Sequence, residues 1–114
     1  MEEFKLLNKV KYLIDYSDEY ILSSFPKSDL ALKINLENNL YNLLENTYRA
    51  NINKGNIRIK HIKEIIININ LLDYYIGKIK NKKIIKTNRY TAFLNCIEDI
   101  IKMSYKWLSN EEKV

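Results

Sequence analysis

The sequence predicts an all-α protein, an up-down-up-down antiparallel four-helix bundle, on two observations. Apolar residues recur at steps of three and four over long segments, which is the period of amphipathic helices. Only two glycines and one proline occur in 114 residues, too few turn formers for a sandwich or barrel of many short strands. A chain of this length supports one core. We therefore expect a single domain over residues 1–114, with helices at about 3–24, 28–53, 56–80 and 87–109.

The first helix is predicted by an apolar stripe and ends before the single proline. Pro26 disfavours helical backbone at the residue before it, so the helix should end near residue 24. Ser28 or Asp29 then offers a side chain that can cap the start of the second helix. The stripe consists of Leu6, Val10, Leu13, Ser17, Tyr20 and Ser24.

The second helix carries two apolar stripes, a broader arc than one neighbouring surface usually covers. A second partner surface is therefore expected, and self-association is the simplest way to supply it. One stripe consists of Leu30, Ile34, Tyr41, Leu44 and Tyr48, and the other of Leu36, Leu40, Leu43, Thr47 and Ala50.

The third segment is the most ambiguous, because residues 57–60 and 67–71 alternate between isoleucine and polar residues as strands do. A helix is favoured, since no turn signal separates the two runs and apolar residues keep helical spacing up to residue 79. Gly55 is expected to cap the end of the second helix, and Gly77 costs a helix only about 1 kcal/mol relative to alanine. Thr87 or Asn88 should cap the fourth helix.

The net charge of +5 is unevenly distributed. Residues 1–48 sum to −3 and residues 90–114 to −1, whereas residues 49–89 carry eleven basic and two acidic side chains, a surplus of +9. Clustered cations attract a phosphate backbone through counterion release, so nucleic acid is one expectation, and a solvated lysine-rich surface from codon bias is the other. The candidate nucleic-acid-binding residues are Arg49, Lys54, Arg58, Lys60, Lys63, Lys78, Lys80, Lys82, Lys83, Lys86 and Arg89.

The sequence offers no motif for catalysis, a cofactor or a metal. It has no glycine-rich phosphate loop, no Ser/His/Asp arrangement, and one cysteine with one histidine, which cannot form a Cys/His zinc site. The adjacent carboxylates of Glu98 and Asp99 point about 100° apart on a helix, so they are expected to pair with Lys102 rather than act together. We therefore expect a protein that is not an enzyme.

Three single residues have both a structural and a functional interpretation. Cys96 is expected to be a small packed side chain rather than a nucleophile, and Trp107 a contact within the bundle or between subunits rather than a surface for a base. His61 lies among basic neighbours that favour its neutral form, and it is either structural or faces a phosphate.

The chain is expected to be cytoplasmic and not to contact a membrane. Its longest aliphatic run, residues 65–67, is far shorter than the roughly 20 residues that span a bilayer. Its amino terminus is acidic, whereas the start of a signal peptide is basic.

Three segments stand in an order that resembles a known family. Phe25-Pro26-Lys27-Ser28 opens a helix, Tyr48-Arg49-Ala50-Asn51 ends the leucine-rich second helix, and residues 97–108 (IEDIIKMSYKWL) close the fourth. Over about residues 10–110 the chain is similar to the bacterial four-helix-bundle proteins related to Avd, the accessory variability determinant of diversity-generating retroelements. The 23S rRNA intervening-sequence proteins belong to the same group.

The resemblance implies a homopentameric barrel of bundles without catalytic activity, whose positive surface binds RNA or DNA. In the retroelement members it also implies a partnership with a reverse transcriptase during mutagenic cDNA synthesis. The alternative is an intervening-sequence-type bundle that acts as a scaffold for a partner protein. The chain departs from the family pattern in four places. Ile101 replaces a glycine, and Lys102 replaces an arginine. Tyr105-Lys106 precede Trp107 where the family has two glycines, and Tyr75 stands where a basic residue is common.

Overall fold

A computed structural model describes the backbone of residues 2–113 and the side chains of residues 5–113. The described chain contains four α-helices, two 3-10 segments and no strand, which confirms the all-α prediction. The helices are α1 (Glu2–Tyr20), α2 (Leu30–Ile52), α3 (Gly55–Asn81) and α4 (Thr87–Glu112), and the 3-10 segments are Leu22–Ser24 and Lys27–Asp29.

The four helices pack around one shared core in a body of 47 × 23 × 19 Å. Each helix contributes at least one side chain with no exposed surface, for example Leu13, Leu43, Leu72 and Phe93. Burying a side chain of this size contributes about 1.5–3 kcal/mol to folding. No helix of the described chain is both long enough and apolar enough to cross a membrane.

The connection between α1 and α2 differs from the predicted boundaries. The α-helix ends at Tyr20, and a 3-10 turn continues to Ser24, where the Ser24 hydroxyl donates to the Tyr20 carbonyl at 3.4 Å. Phe25 is extended, as expected before a proline. Asp29 does precede α2, but its carboxylate makes no capping bond and instead accepts a hydrogen bond from Lys82 at 3.0 Å.

The third segment is one continuous helix, so the preference for helix over a strand hairpin is confirmed. The prediction that Gly55 caps α2 is wrong. Gly55 is the first residue of α3, at φ +64°, and the carbonyl of Arg49 near the end of α2 accepts instead from the Asn53 side chain at 2.7 Å. Capping of α4 by Thr87 or Asn88 is also wrong, because Lys86 precedes the helix and no side chain caps it.

The carboxyl end of α3 is closed by a Schellman motif with a lysine at its centre. The Ile84 amide donates to the Ile79 carbonyl at 3.2 Å, and the Lys83 amide donates to the Lys80 carbonyl at 2.9 Å. This geometry places Lys83 at φ 60°, a left-handed conformation in which glycine is favoured because it has no Cβ. Lys83 is therefore held in a strained conformation.

Replacing Lys83 by glycine should raise the free energy of unfolding by about 0.5–1 kcal/mol, because it removes this strain. Lys83→Ala is the matched control, since it removes the same charge but keeps the Cβ, and we expect no gain from it. Urea denaturation of both variants measures the difference. Equal stability of the glycine and alanine variants would show that the φ angle of Lys83 costs nothing.

Candidate nucleic-acid interface

Two long-range contacts gather basic residues from separate parts of the chain at one end of the molecule. Lys82 binds Asp29 at 3.0 Å, and the Arg89 guanidinium donates to the Tyr20 carbonyl at 3.0 Å. The end of α3, the link after it and the start of α4 therefore lie beside the connection between α1 and α2. We call this set of cations the basic end: Lys27, Lys78, Lys80, Lys82, Lys83, Lys86 and Arg89.

The cations of the basic end differ in whether another side chain of the protein already contacts them. Lys78 and Lys80 lie over tyrosine rings, and Arg89 is half-buried with its guanidinium 5.3 Å from the Tyr20 ring centroid. Lys83 and Lys86 are exposed, and neither ammonium pairs with another residue of the described part of the chain. Lys27 is also exposed without a partner in the described part of the chain, so Lys27, Lys83 and Lys86 present the most accessible charge.

The positive surface of this end lies on the side of α3 and α4. Asp18 and Glu19 are exposed and directly precede Tyr20, so α1 brings negative charge to the same end. Asp29 is engaged by Lys82. A polyanion would therefore be attracted to the α3 and α4 side and repelled from the α1 side.

The remaining candidates, Arg49, Lys54, Arg58, Lys60 and Lys63, do not form a comparable cluster. Arg49 pairs with Glu45 at 3.2 Å, and Lys63 lies 4.0 Å from Glu112. Lys54 and Lys60 are exposed. Because Glu45, Glu111 and Glu112 offset three of these five cations, the group leaves less free positive charge than the basic end does.

Arg58 is structural rather than available to a ligand. Its guanidinium donates to the carbonyls of Ala50 and Asn51 at 2.8 and 3.0 Å and binds the Glu111 carboxylate at 2.8 Å. It also lies 5.5 Å from the ring centroid of Trp107, and only 18% of its side chain is exposed. Arg58 thus closes the end of α2 and ties it to α4, so we leave it out of the interface.

The other singled-out residues also have structural surroundings. Asp99 pairs with Lys9 of α1 at 3.1 Å, so the predicted pairing of Asp99 with Lys102 is wrong. Trp107 is buried, as expected for a contact within the bundle. Cys96 is buried as well, and burial raises the pKa of its thiol, which keeps it protonated and poorly nucleophilic at neutral pH.

His61 is largely enclosed, with 13% of its side chain exposed and its Nδ1 atom 3.6 Å from a carboxylate oxygen of Glu64. This position is not an open, phosphate-facing surface. Among the described residues no group of three or more His, Cys, Asp or Glu side chains could hold a metal ion.

A groove between α3 and α4 is lined by aromatic residues that the distribution of charge in the sequence does not indicate. It has a volume of about 410 Å³ and is lined by Asp73, Tyr74, Gly77, Lys78, Asn81 and Tyr90. The Lys78 ammonium lies 5.7 Å from the Tyr74 ring centroid, and that of Lys80 lies 4.6 Å from the Tyr90 centroid. The spacing of four residues between Tyr74 and Lys78 is a signal visible in the sequence, whereas the contact between Lys80 and Tyr90 depends on how α3 and α4 pack.

Comparison of the chain with protein-family models gives no match, and comparisons with curated proteins and with solved structures give none either. The resemblance to the Avd-related bundles therefore rests on the sequence segments alone.

Proposed function

We propose that this protein is a non-enzymatic, oligomeric helical bundle that binds RNA or DNA through its basic end. The observation that carries the proposal is the group of exposed lysines on the α3 and α4 side of that end, two of which, Lys83 and Lys86, have no partner in the described chain. Unpaired surface ammoniums gain the most from a polyanion, because binding releases condensed counterions and breaks no internal ion pair.

The end of α3 fixes the backbone of Lys83. The Lys83 amide donates to the Lys80 carbonyl at 2.9 Å, and the left-handed conformation belongs to the Schellman motif that ends the helix. The exposed Lys83 side chain therefore extends from an ordered helix end.

The resemblance to the Avd-related proteins extends the proposal to architecture and partners. We take the four helices to alternate in direction. In support, Arg58 of α3 donates to the Ala50 carbonyl of α2 at 2.8 Å, whereas Asn68, further along α3, accepts from Asn46, which is earlier in α2. We take the assembly to be a homopentamer that assists a reverse transcriptase in mutagenic cDNA synthesis. The second candidate is an intervening-sequence-type scaffold, which would use the same surfaces to hold a partner protein.

Self-association is supported by the first apolar stripe of α2, which is left open. Four of its five residues, Leu30, Ile34, Tyr41 and Tyr48, are between 43% and 55% exposed, whereas Leu44 is partly buried against the core. Ile52, at the end of the same helix, is 80% exposed. The other stripe of α2 is fully buried in the core. Several exposed large apolar residues on one helix face are typical of a protein interface.

Placing a charge on this stripe should break the oligomer. We expect Ile34→Lys to reduce the mass measured by light scattering from that of a pentamer of the 13.7 kDa chain toward that of one chain, because a buried ammonium opposes association. The control is Asn35→Lys, an exposed position of the same helix that is about 100° around the helix axis from Ile34 and outside the stripe. A wild-type mass of one chain, or an unchanged mass for Ile34→Lys, would contradict assembly through this surface.

A mobility-shift titration of the wild-type chain with RNA at about 50 and 200 mM salt tests the function itself. Binding by phosphate contacts should weaken steeply between the two concentrations. A chain that shows no salt-sensitive binding to RNA or DNA is not a nucleic-acid-binding protein, and the scaffold function would then stand alone.

A further inference from the structure

The groove between α3 and α4 has the features of a site for a flat aromatic ligand at the margin of the basic end. Tyr74 and Tyr90 both line it, and 61% of Tyr74 is exposed. A volume of about 410 Å³ falls within the range of small-molecule sites, roughly 300–1,000 Å³. The groove is therefore large enough for one nucleobase.

Gly77 lines this groove, and no neighbouring atom prevents a larger residue at this position. A Cβ atom built on Gly77 meets no atom within 4 Å, and the residue is not at positive φ. Glycine inside a helix nevertheless costs about 1 kcal/mol relative to alanine. The absence of a side chain here keeps the groove open.

The charges around the groove distinguish the two ends of a nucleotide. Lys78 is part of the groove lining, and the Lys80 ammonium lies 4.6 Å from the ring centroid of Tyr90, which also lines the groove, so phosphates are attracted to this side. The Asp73 carboxylate repels phosphate but accepts hydrogen bonds from the amino groups of bases. This arrangement orients a base toward Asp73 and its phosphates toward the lysines.

We infer that this groove takes one unpaired base of a single-stranded nucleic acid, stacked on Tyr74, while the Lys78 ammonium moves from that ring to a neighbouring phosphate and Lys80 contacts the next one. The inference rests on the proposed function and specifies its ligand. A base within a duplex cannot enter the groove, so a duplex contacts only the lysines. Stacking on an aromatic side chain contributes about 1–3 kcal/mol per base, which corresponds to about five-fold to a hundred-fold in affinity.

The test compares a short unstructured RNA with an RNA duplex of the same length by fluorescence anisotropy. We expect Tyr74→Ala to weaken single-strand binding by about five-fold to a hundred-fold and to leave duplex binding unchanged, and Tyr74→Phe to bind both as the wild type does. Tyr105→Ala is the matched control, because Tyr105 is 53% exposed and does not line the groove.

Gly77→Leu is a second variant that does not depend on removing an aromatic side chain. The leucine side chain fills the groove, so single-strand binding should weaken. Leucine also has a higher helix propensity than glycine, so the melting temperature should not fall. Equal losses for single strand and duplex in Tyr74→Ala, or wild-type single-strand binding by Gly77→Leu, would overturn the inference. If the groove variants bind normally while loss of the basic-end lysines abolishes binding, the groove assignment fails and the proposed function stands.

Discussion

Reversing the charge of Lys80, Lys82 and Lys83 together should weaken nucleic-acid binding by about a hundred-fold at low salt, irrespective of base sequence. A contact between an ammonium and a phosphate that is fully screened by water is worth about 1 kcal/mol, and the reversal removes the three that these lysines can make. The slope of log affinity against log salt should fall by about 2–3, since each contact contributes about 0.7 for a single strand and about 0.9 for a duplex. The measurement is anisotropy of a labelled RNA over a series of salt concentrations.

A second triple variant separates the position of the charge from its amount. Reversing Lys5, Lys102 and Lys113, which are exposed and outside the basic end, also takes the formal net charge from +5 to −1, since each Lys→Glu change removes two charges. We expect this variant to retain most of the affinity and the wild-type slope. Equal losses in the two triple variants would mean that net charge, not the basic end, determines binding.

Arg58→Ala should lower the free energy of unfolding by about 2–4 kcal/mol, the largest loss of stability we expect from replacing one charged side chain. The substitution removes hydrogen bonds to two carbonyls at the end of α2 and the ion pair with Glu111, in a position where solvent screens little of the charge. It also leaves the Glu111 carboxylate, 23% exposed, without its partner. Urea denaturation measures the loss.

Two further variants show whether geometry or charge is responsible for the role of Arg58. Arg58→Lys keeps the charge but offers one nitrogen in place of three guanidinium nitrogens, each of which donates to a different acceptor, so it should recover only part of the stability. Arg49→Ala removes an arginine that is 52% exposed and paired with Glu45 four residues away, and should cost about 0.3–0.5 kcal/mol. Similar small losses for Arg58→Ala and Arg49→Ala would contradict the structural role of Arg58.

The helices could be predicted because the helical spacing of apolar residues holds over longer stretches of sequence than the local alternation that is typical of strands. Residues 57–60 and 67–71 look like strands locally, but the helical spacing that continues to Ile79 decides the outcome. Helix ends were predicted less well. Asp29 and Thr87 have the side chains that cap helices, yet Asp29 instead pairs with Lys82, and such tertiary partners are invisible to local reasoning.

The same limit applies to the candidate interface. The sequence shows where lysines are numerous, and the order of the helices indicates which of them can meet at one end. It does not show that Arg58 bonds to carbonyls of α2, or that Asp99 pairs with Lys9, 90 residues earlier. Both facts depend on the packing of helices that are distant in sequence.

Lysine footprinting of the wild-type chain tests the central claim most directly. The protein is acetylated with and without single-stranded RNA, and the modification of each lysine is measured by mass spectrometry. We predict that RNA protects Lys83 and Lys86 and leaves Lys5 and Lys102 as reactive as before. Unchanged labelling of Lys83 and Lys86 in the presence of bound RNA, or protection confined to Lys5 and Lys102, would contradict binding through the basic end.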